Sequence, residues 1–285
     1  MTFANTPFTK LVFIAFLAVF ISACAGLELL PSPFAEEEDK TANWSAGDYY
    51  KEAKKQMDDE NYTAAIELFQ KLEARYPFGT YAQQSQVDLA YSYYKDSEPD
   101  SALSTANRFI RVYPRYENID YLYYLKGLIN FNRGIGLFER YLPTDKTQRD
   151  PGATSRSLGD FETLLRRFPN SQYAADSKQR IIALHSNLAL YDLNVAQYYM
   201  KRGAYIAVVN RCKNIIEKYP KTTAVPRALL LMSDAYKRLG MADLAKYSQR
   251  VYNLNYPKGM PPLYKVDDRE KTSAESVWEY LELDK

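Results

Sequence analysis

Histidine is almost missing from this sequence. His185 stands alone among 285 residues, and the cysteines are Cys24 and Cys212. So few soft and borderline ligands cannot build the common zinc sites. A lone imidazole beside Leu184 and Leu188 in a helical run reads as structural or surface, not as a general base. A phosphate loop is missing too, because Gly127, Gly134 and Gly136 come without the lysine and hydroxyl residue it requires. Asp58, Asp59 and Glu60 sit together at a helix turn, where water solvates them, and no carboxylate pair can be placed at hydrolytic separation. No catalytic residue, metal or cofactor is expected. A basic block is also lacking: 37 Lys and Arg against 35 Asp and Glu leave a formal charge of +2, which argues against a nucleic-acid partner. With 46% hydrophobic and 25% charged residues, the bulk of the chain has what a folded core needs.

What is present begins with Leu11 to Phe20, an apolar run too short for the roughly 20 residues of a membrane span. Lys10 before it and Ser22-Ala23 after it make residues 1–23 an export signal. Cys24 could then be a core residue, half of a disulfide, or the start of the mature chain. Ile21-Ser22-Ala23-Cys24 resembles the lipobox of bacterial lipoproteins, which implies a covalent diacylglycerol and an N-acyl chain on Cys24 and an anchor at a bilayer surface. Ala25, in place of an aspartate, points to the outer membrane. Lipidation leaves Cys212 alone, so no internal disulfide braces the fold. Cys212 itself falls on a large apolar position and is expected to pack in the core. Residues 24–47, with Leu29 to Pro33 and the acidic run Glu36 to Asp39, read as a flexible tether, with Trp44 packing onto the first helix.

From Asp48 the chain repeats. Aromatic-proline pairs recur at Tyr76-Pro77, Tyr113-Pro114, Phe168-Pro169, Tyr219-Pro220 and Tyr256-Pro257, at intervals of about 37 to 55 residues, each closing a helical run. Ala53, Ala65, Ala90, Ala102, Ala196 and Ala245 fall where paired helices must approach closely, and Tyr62, Phe69, Tyr93, Tyr199, Tyr205 and Tyr236 where large side chains fill the gaps. These positions resemble the tetratricopeptide repeat, and Gly203 and Gly240 fit its turns. The expected fold is therefore all-α: a tetratricopeptide-repeat solenoid of five helix pairs. Residues 48–169 would hold repeats 1–3 and residues 170–257 repeats 4–5. One continuous helix from Ser171 to Arg202 would join them, with Ile181, Leu184, Leu188, Tyr191, Val195 and Tyr198 along one stripe. The third repeat carries an insertion from Arg133 to Asp150, either functional or surface ornament, before a helix start at Asp150-Pro151. Residues 258–285 are a tail with Pro261-Pro262 and a capping-box pattern at Thr272 to Glu275 ahead of Val277, Trp278 and Leu281. That tail either covers the open end of the array or binds a partner.

The 26 tyrosines exceed what buried stripes can absorb. Tyr91, Tyr93 and Tyr94 in one helix, and Tyr121, Tyr123 and Tyr124 in another, cannot all face inward. Rings with hydroxyl tips suit a surface for extended or partly folded peptide. Several segments together carry a closer resemblance: Arg75-Tyr76-Pro77-Phe78-Gly79 with Tyr81 and Gln83-Gln84; Arg149-Asp150-Pro151; Pro169-Asn170-Ser171-Gln172-Tyr173; and Arg202-Gly203-Ala204 running into Val208 to Arg211. With the lipobox and the repeats they make the chain similar to the BamD family, lipoprotein subunits of the outer-membrane β-barrel assembly machinery. The resemblance implies a non-catalytic scaffold on the periplasmic face of the outer membrane. Its N-terminal repeats would bind the C-terminal targeting signal of unfolded β-barrel proteins near Tyr62, Phe78, Gly79, Tyr91 and Tyr94. Its C-terminal repeats would dock the periplasmic domain of BamA through Arg211 and Arg202, alongside other lipoproteins of the complex. The alternative is a tetratricopeptide-repeat lipoprotein adaptor that organises cell-wall synthesis.

Overall fold

The computed structural model describes residues 41–133 and 151–263. The export signal, Cys24, most of the tether, the insertion through Asp150, and the tail with its capping box and Trp278 lie outside the described residues. Residues 41–45 form a short turn, with the Trp44 N–H donating to the Thr41 carbonyl at 3.0 Å.

From Ala46 the described residues form ten α-helices: α1 (Ala46–Asp58), α2 (Tyr62–Arg75), α3 (Thr80–Lys95), α4 (Pro99–Val112), α5 (Ile119–Asn132), α6 (Gly152–Arg167), α7 (Ala174–Lys201), α8 (Tyr205–Lys218), α9 (Val225–Arg238) and α10 (Ala242–Asn255). The aromatic-proline pairs end the even-numbered helices in one geometry. Tyr76, Tyr113, Phe168, Tyr219 and Tyr256 all leave the helix with φ between −132° and −122° and ψ between 48° and 68°. Each still donates its N–H to the carbonyl four residues back. The proline that follows disfavours helical ψ at the aromatic, so the helix stops there. The turns inside the pairs repeat as well. Glu60, Ser97, Gly203 and Gly240 occupy the left-handed region at φ 57°, 65°, 74° and 74°, a conformation that lets two helices reverse with one residue at the bend.

Each helix packs on its neighbours in sequence, and α1 with α3, α3 with α5, and α7 with α9 also touch. This is an all-α array of stacked helix pairs of the tetratricopeptide type. The small residues that the pattern singles out, Ala53, Ala65, Ala90, Ala102, Ala196 and Ala245, are all buried. Phe69, Phe109 and Phe161 fill the spaces between them completely, each contributing roughly 1.5–3 kcal/mol by leaving water. Cys212 is fully buried in the C-terminal core, and burial pushes its thiol up to about 12. The third pair adds a contact that the pattern does not signal. A Cβ on Gly127 of α5 would stand 2.5 Å from the Phe161 ring of α6, and the Gly127 carbonyl accepts the Ser157 hydroxyl at 2.9 Å.

The long helix starts later than its periodicity suggests, at Ala174 rather than Ser171. The Ser171 hydroxyl instead donates to Asp120 at 2.6 Å and accepts the Tyr173 N–H at 3.2 Å, which turns the chain before the helix begins. The apolar stripe also breaks. Leu184 and Leu188 are buried, but Tyr198 is 58% exposed, and Ala189, Leu193 and Ala196 carry the core instead. The cause is a change of neighbours, because α7 packs on α6 and also on α8 and α9, so its buried side rotates along its length. His185 sits at the side of this helix, its ring 5.6 Å from that of Tyr219 and its Nε2 4.0 Å from Glu162.

Candidate functional site

Three odd-numbered helices, α1, α3 and α5, align on one side of the N-terminal pairs and floor an open groove of about 420 Å³. The centre of its floor is Asp88 of α3. The Tyr50 hydroxyl of α1 donates to Asp88 at 2.9 Å, Gln84 donates at 3.5 Å, and the Lys54 ammonium lies 3.7 Å away. Tyr116 closes the network by donating to the Gln84 amide oxygen at 2.7 Å. Burial holds the Asp88 carboxyl above the usual range, and Lys54 and Tyr50 offset part of that rise. Burial and the adjacent Asp88 likewise raise the Tyr50 phenol. Tyr91, Tyr121, Tyr173, Met57 and Val87 complete the walls. A trough that mixes tyrosine ring faces with hydrogen-bonding side chains can take both the side chains and the backbone of an extended peptide.

The wall at Tyr173 is itself braced. Tyr173 stacks on Tyr124 at 4.6 Å with ring planes 13° apart, and Tyr124 donates to Asp176, which also holds Arg180 at 2.6 Å. Tyr121 packs against Tyr173 at 5.7 Å, and burial raises its phenol well above the ordinary value. This part of the groove is fixed before any ligand arrives.

Of the five residues marked for peptide binding, the structure brings three together. Tyr91 meets Tyr62 edge-on at 6.3 Å and Tyr94 at 6.4 Å. Lys95 covers the outer face of the Tyr62 ring at 5.4 Å, and the Tyr94 hydroxyl accepts Asn132 at 2.5 Å. Phe78 and Gly79 lie elsewhere. They precede α3, about 18 Å along its axis from Tyr91, with Phe78 88% exposed and Gly79 at φ 105° as the residue before the first turn. Sequence reasoning missed Asp88, Tyr50, Lys54 and Tyr116. The one local signal was an acid set between Val87 and Leu89-Ala90 on a helix otherwise turned inward.

The two arginines marked for partner docking differ in kind. Arg211 of α8 donates to Asp192 of α7 at 2.8 Å, and Asn214 hydrogen-bonds the other carboxylate oxygen. Asp192 is buried while the Arg211 side chain stays 41% exposed, so a guanidinium face remains open to water. The hydrogen bond to Asp192 holds Arg211 even more firmly in its charged form. Arg202 caps the end of α7 and carries no ion pair among the described residues. Its neighbours Tyr198, one turn back, and Ile206, just past the turn, are both exposed. An arginine set among exposed apolar side chains is the composition of a protein interface.

The chain is similar to several known proteins. The model of the YfiO family, described as outer membrane lipoprotein, matches residues 42–251. A relative from Neisseria gonorrhoeae, named outer membrane protein assembly factor BamD, is 40% identical over 249 residues, covering 87% of this chain and 92% of its own length. A relative of the same name from Vibrio cholerae serotype O1 is 36% identical over 206 residues, covering 72% and 86%. A solved tetratricopeptide repeat protein from Parabacteroides merdae is 12% identical, covers 76% of this chain and 80% of its own, and aligns with a TM-score of 0.35. That score adds nothing to what the helix contacts show.

Proposed function

The chain belongs to the YfiO family of outer membrane lipoproteins, and on that footing we propose that it works in outer membrane protein assembly as a non-catalytic scaffold. The observation that carries this reading is the Asp88 groove. The ligand is the C-terminal segment of an unfolded β-barrel protein. Tyr91 and Tyr121 offer ring faces to its alternating apolar side chains. The Asp88 and Gln84 floor offers hydrogen bonds to its backbone, and Lys54 keeps donors free for a terminal carboxylate. Tyr62 and Tyr94 back Tyr91, whereas Phe78 and Gly79 form a separate outlying contact.

At the other end, Arg211 and Arg202 receive acidic groups of the periplasmic domain of BamA, with Tyr198 and Ile206 as the apolar part of the contact. The other lipoproteins of the complex would share this assembly. Lipid on Cys24 holds the array at the periplasmic face of the outer membrane through the tether.

The test is fluorescence anisotropy with a labelled peptide that copies a barrel protein's last strand and its terminal aromatic, titrated with the full chain. Tyr91→Ala with Tyr121→Ala is expected to weaken binding about tenfold or more, the loss typical of central aromatic contacts. Arg202→Ala is expected to leave it unchanged. Equal binding by the double variant would remove the groove from the proposal.

A further inference from the structure

Phe78 is the most exposed large apolar side chain among the described residues, at 88%, and it lies outside both the Asp88 groove and the arginine face. It stands on the short link between α2 and α3. Pro77 before it cannot continue α2, and Gly79 after it takes φ 105°, so the link turns sharply with the ring at its tip. A Cβ on Gly79 would meet nothing within 4 Å. Every residue from Ala74 to Tyr81 is exposed.

The first turns of α1 brace this corner from below. The Tyr76 ring lies 6.4 Å from that of buried Tyr49, and the Tyr81 ring 5.4 Å from that of Tyr50. A Cβ on Gly47 would touch the Tyr81 ring at 3.6 Å. Arg75 donates to the Tyr49 hydroxyl at 2.7 Å. The Phe78 tip is therefore held out by a packed base and flanked by two exposed phenols and a guanidinium. Because α1 begins at Ala46, the corner lies at the end of the fold where the segment that carries Cys24 joins it.

A convex tip of this kind suits a bilayer better than a protein. Stable protein interfaces bury about 1,200 Å² or more, and one projecting ring between two partly packed neighbours supplies little of that. The headgroup region of a bilayer needs no matching shape. It takes up single aromatic rings and leaves phenol hydroxyls at the polar level. Charge agrees with this: no acidic residue lies between Glu73 and Asp88, and Arg75 offers a cation to lipid phosphate.

We propose that Phe78, flanked by Tyr76 and Tyr81, rests in the headgroup region of a phospholipid bilayer, with Arg75 against the lipid phosphates. The outlying contact at Phe78 and Gly79 is then made with lipid. The inference rests on the reading that lipid on Cys24 brings the chain to a membrane, and it adds a second contact that fixes how the first helix pair is turned toward the surface.

The test uses the full lipidated chain in vesicles of phosphatidylethanolamine and phosphatidylglycerol, with an environment-sensitive dye on Thr80→Cys or, as a control on α10, on Tyr247→Cys. Cys212 is buried and does not take the dye. Nitroxide carried on the lipid headgroups is expected to quench the dye at position 80 about threefold or more above the dye at position 247, as for a side chain at the interface. Phe78→Ser with Tyr81→Ser, both at exposed positions, should bring the quenching at 80 down to that of the control while helical circular dichroism stays unchanged. A chain that floats with the vesicles but is quenched equally at both positions, or is quenched at 80 regardless of the serines, would overturn this contact and leave the anchor standing. Quenching relieved by the barrel-signal peptide would give Phe78 to protein and overturn the lipid assignment. A chain that does not float would overturn the anchor and this contact together.

Discussion

The Arg211–Asp192 pair allows bracing and docking to be separated. Arg211→Ala removes the cation that pairs with the buried Asp192 carboxylate and leaves it the Asn214 amide. Breaking a fully buried pair costs roughly 3–5 kcal/mol. With the guanidinium two-fifths in water, screening brings that to about 2 kcal/mol. For an array of this size, the melting temperature should fall by about 4–8 °C, read from helical circular dichroism. Asp192→Asn breaks the same pair from the other side but leaves the guanidinium present, charged and freer to meet a partner. Binding of both variants to the periplasmic domain of BamA is then measured by calorimetry. If Arg211 docks the partner directly, Arg211→Ala weakens binding by about 30-fold or more, while Asp192→Asn stays within about threefold. Equal weakening by the two would mean that Arg211 only braces α8 on α7 and that docking belongs to Arg202 and its apolar neighbours. An unchanged melting temperature in Arg211→Ala would refute the bracing argument itself.

Gly127→Ala should destabilise the third pair by about 1–2 kcal/mol. Overpacking against the fully buried Phe161 outweighs the roughly 1 kcal/mol by which alanine favours a helix, and a urea midpoint at or above that of the parent would contradict this. The Asp88 carboxyl titrates higher in the folded chain than in the unfolded one, because burial disfavours its charge. Folding therefore favours the protonated form. The contribution is fully present below the unfolded value of about 4 and is lost as pH rises through the raised folded value. Asp88→Asn lacks this loss, so its stability relative to the parent should climb above about pH 4 and then level off; a difference that stays flat with pH would refute the assignment.

The parts that were legible in the sequence are those with local causes. A residue before a proline is pushed out of helical ψ whatever surrounds it, so the five aromatic-proline helix ends could be read directly. Alanines at fixed offsets from those ends marked the close approaches. Cys212 could be placed in the core by counting along one helix. The groove floor had no such local cause. Asp88 draws its hydroxyl partner from α1, its ammonium from the same helix, and the support for Gln84 from Tyr116 beyond α4, so no single window of sequence contains the network. Gly127 is explained by Phe161, a residue across the insertion on another helix. The family resemblance grouped Phe78 and Gly79 with Tyr91, but they precede the first turn of α3 and stand about 18 Å along its axis from Tyr91. The Tyr198 misplacement has the same origin. A single stripe assumes one set of neighbours, and α7 has two.

That change of neighbours gives α7 a mechanical meaning. Its 28 residues form a rod about 42 Å long, held at one end by α6 and at the other by α8 and α9. Ser171 and Tyr173, which join the rod to the groove wall, sit at its first end, and Asp192 with Arg211 sits toward its second. A helix of this length is stiff against bending, so it behaves as a lever whose fulcrum is the α6 contact. A tilt of about 5° at the groove would carry the other end roughly 4 Å, given that length. A displacement that size exceeds the span of any hydrogen bond described above, so the same beam that joins the two faces also limits how independently either can adjust.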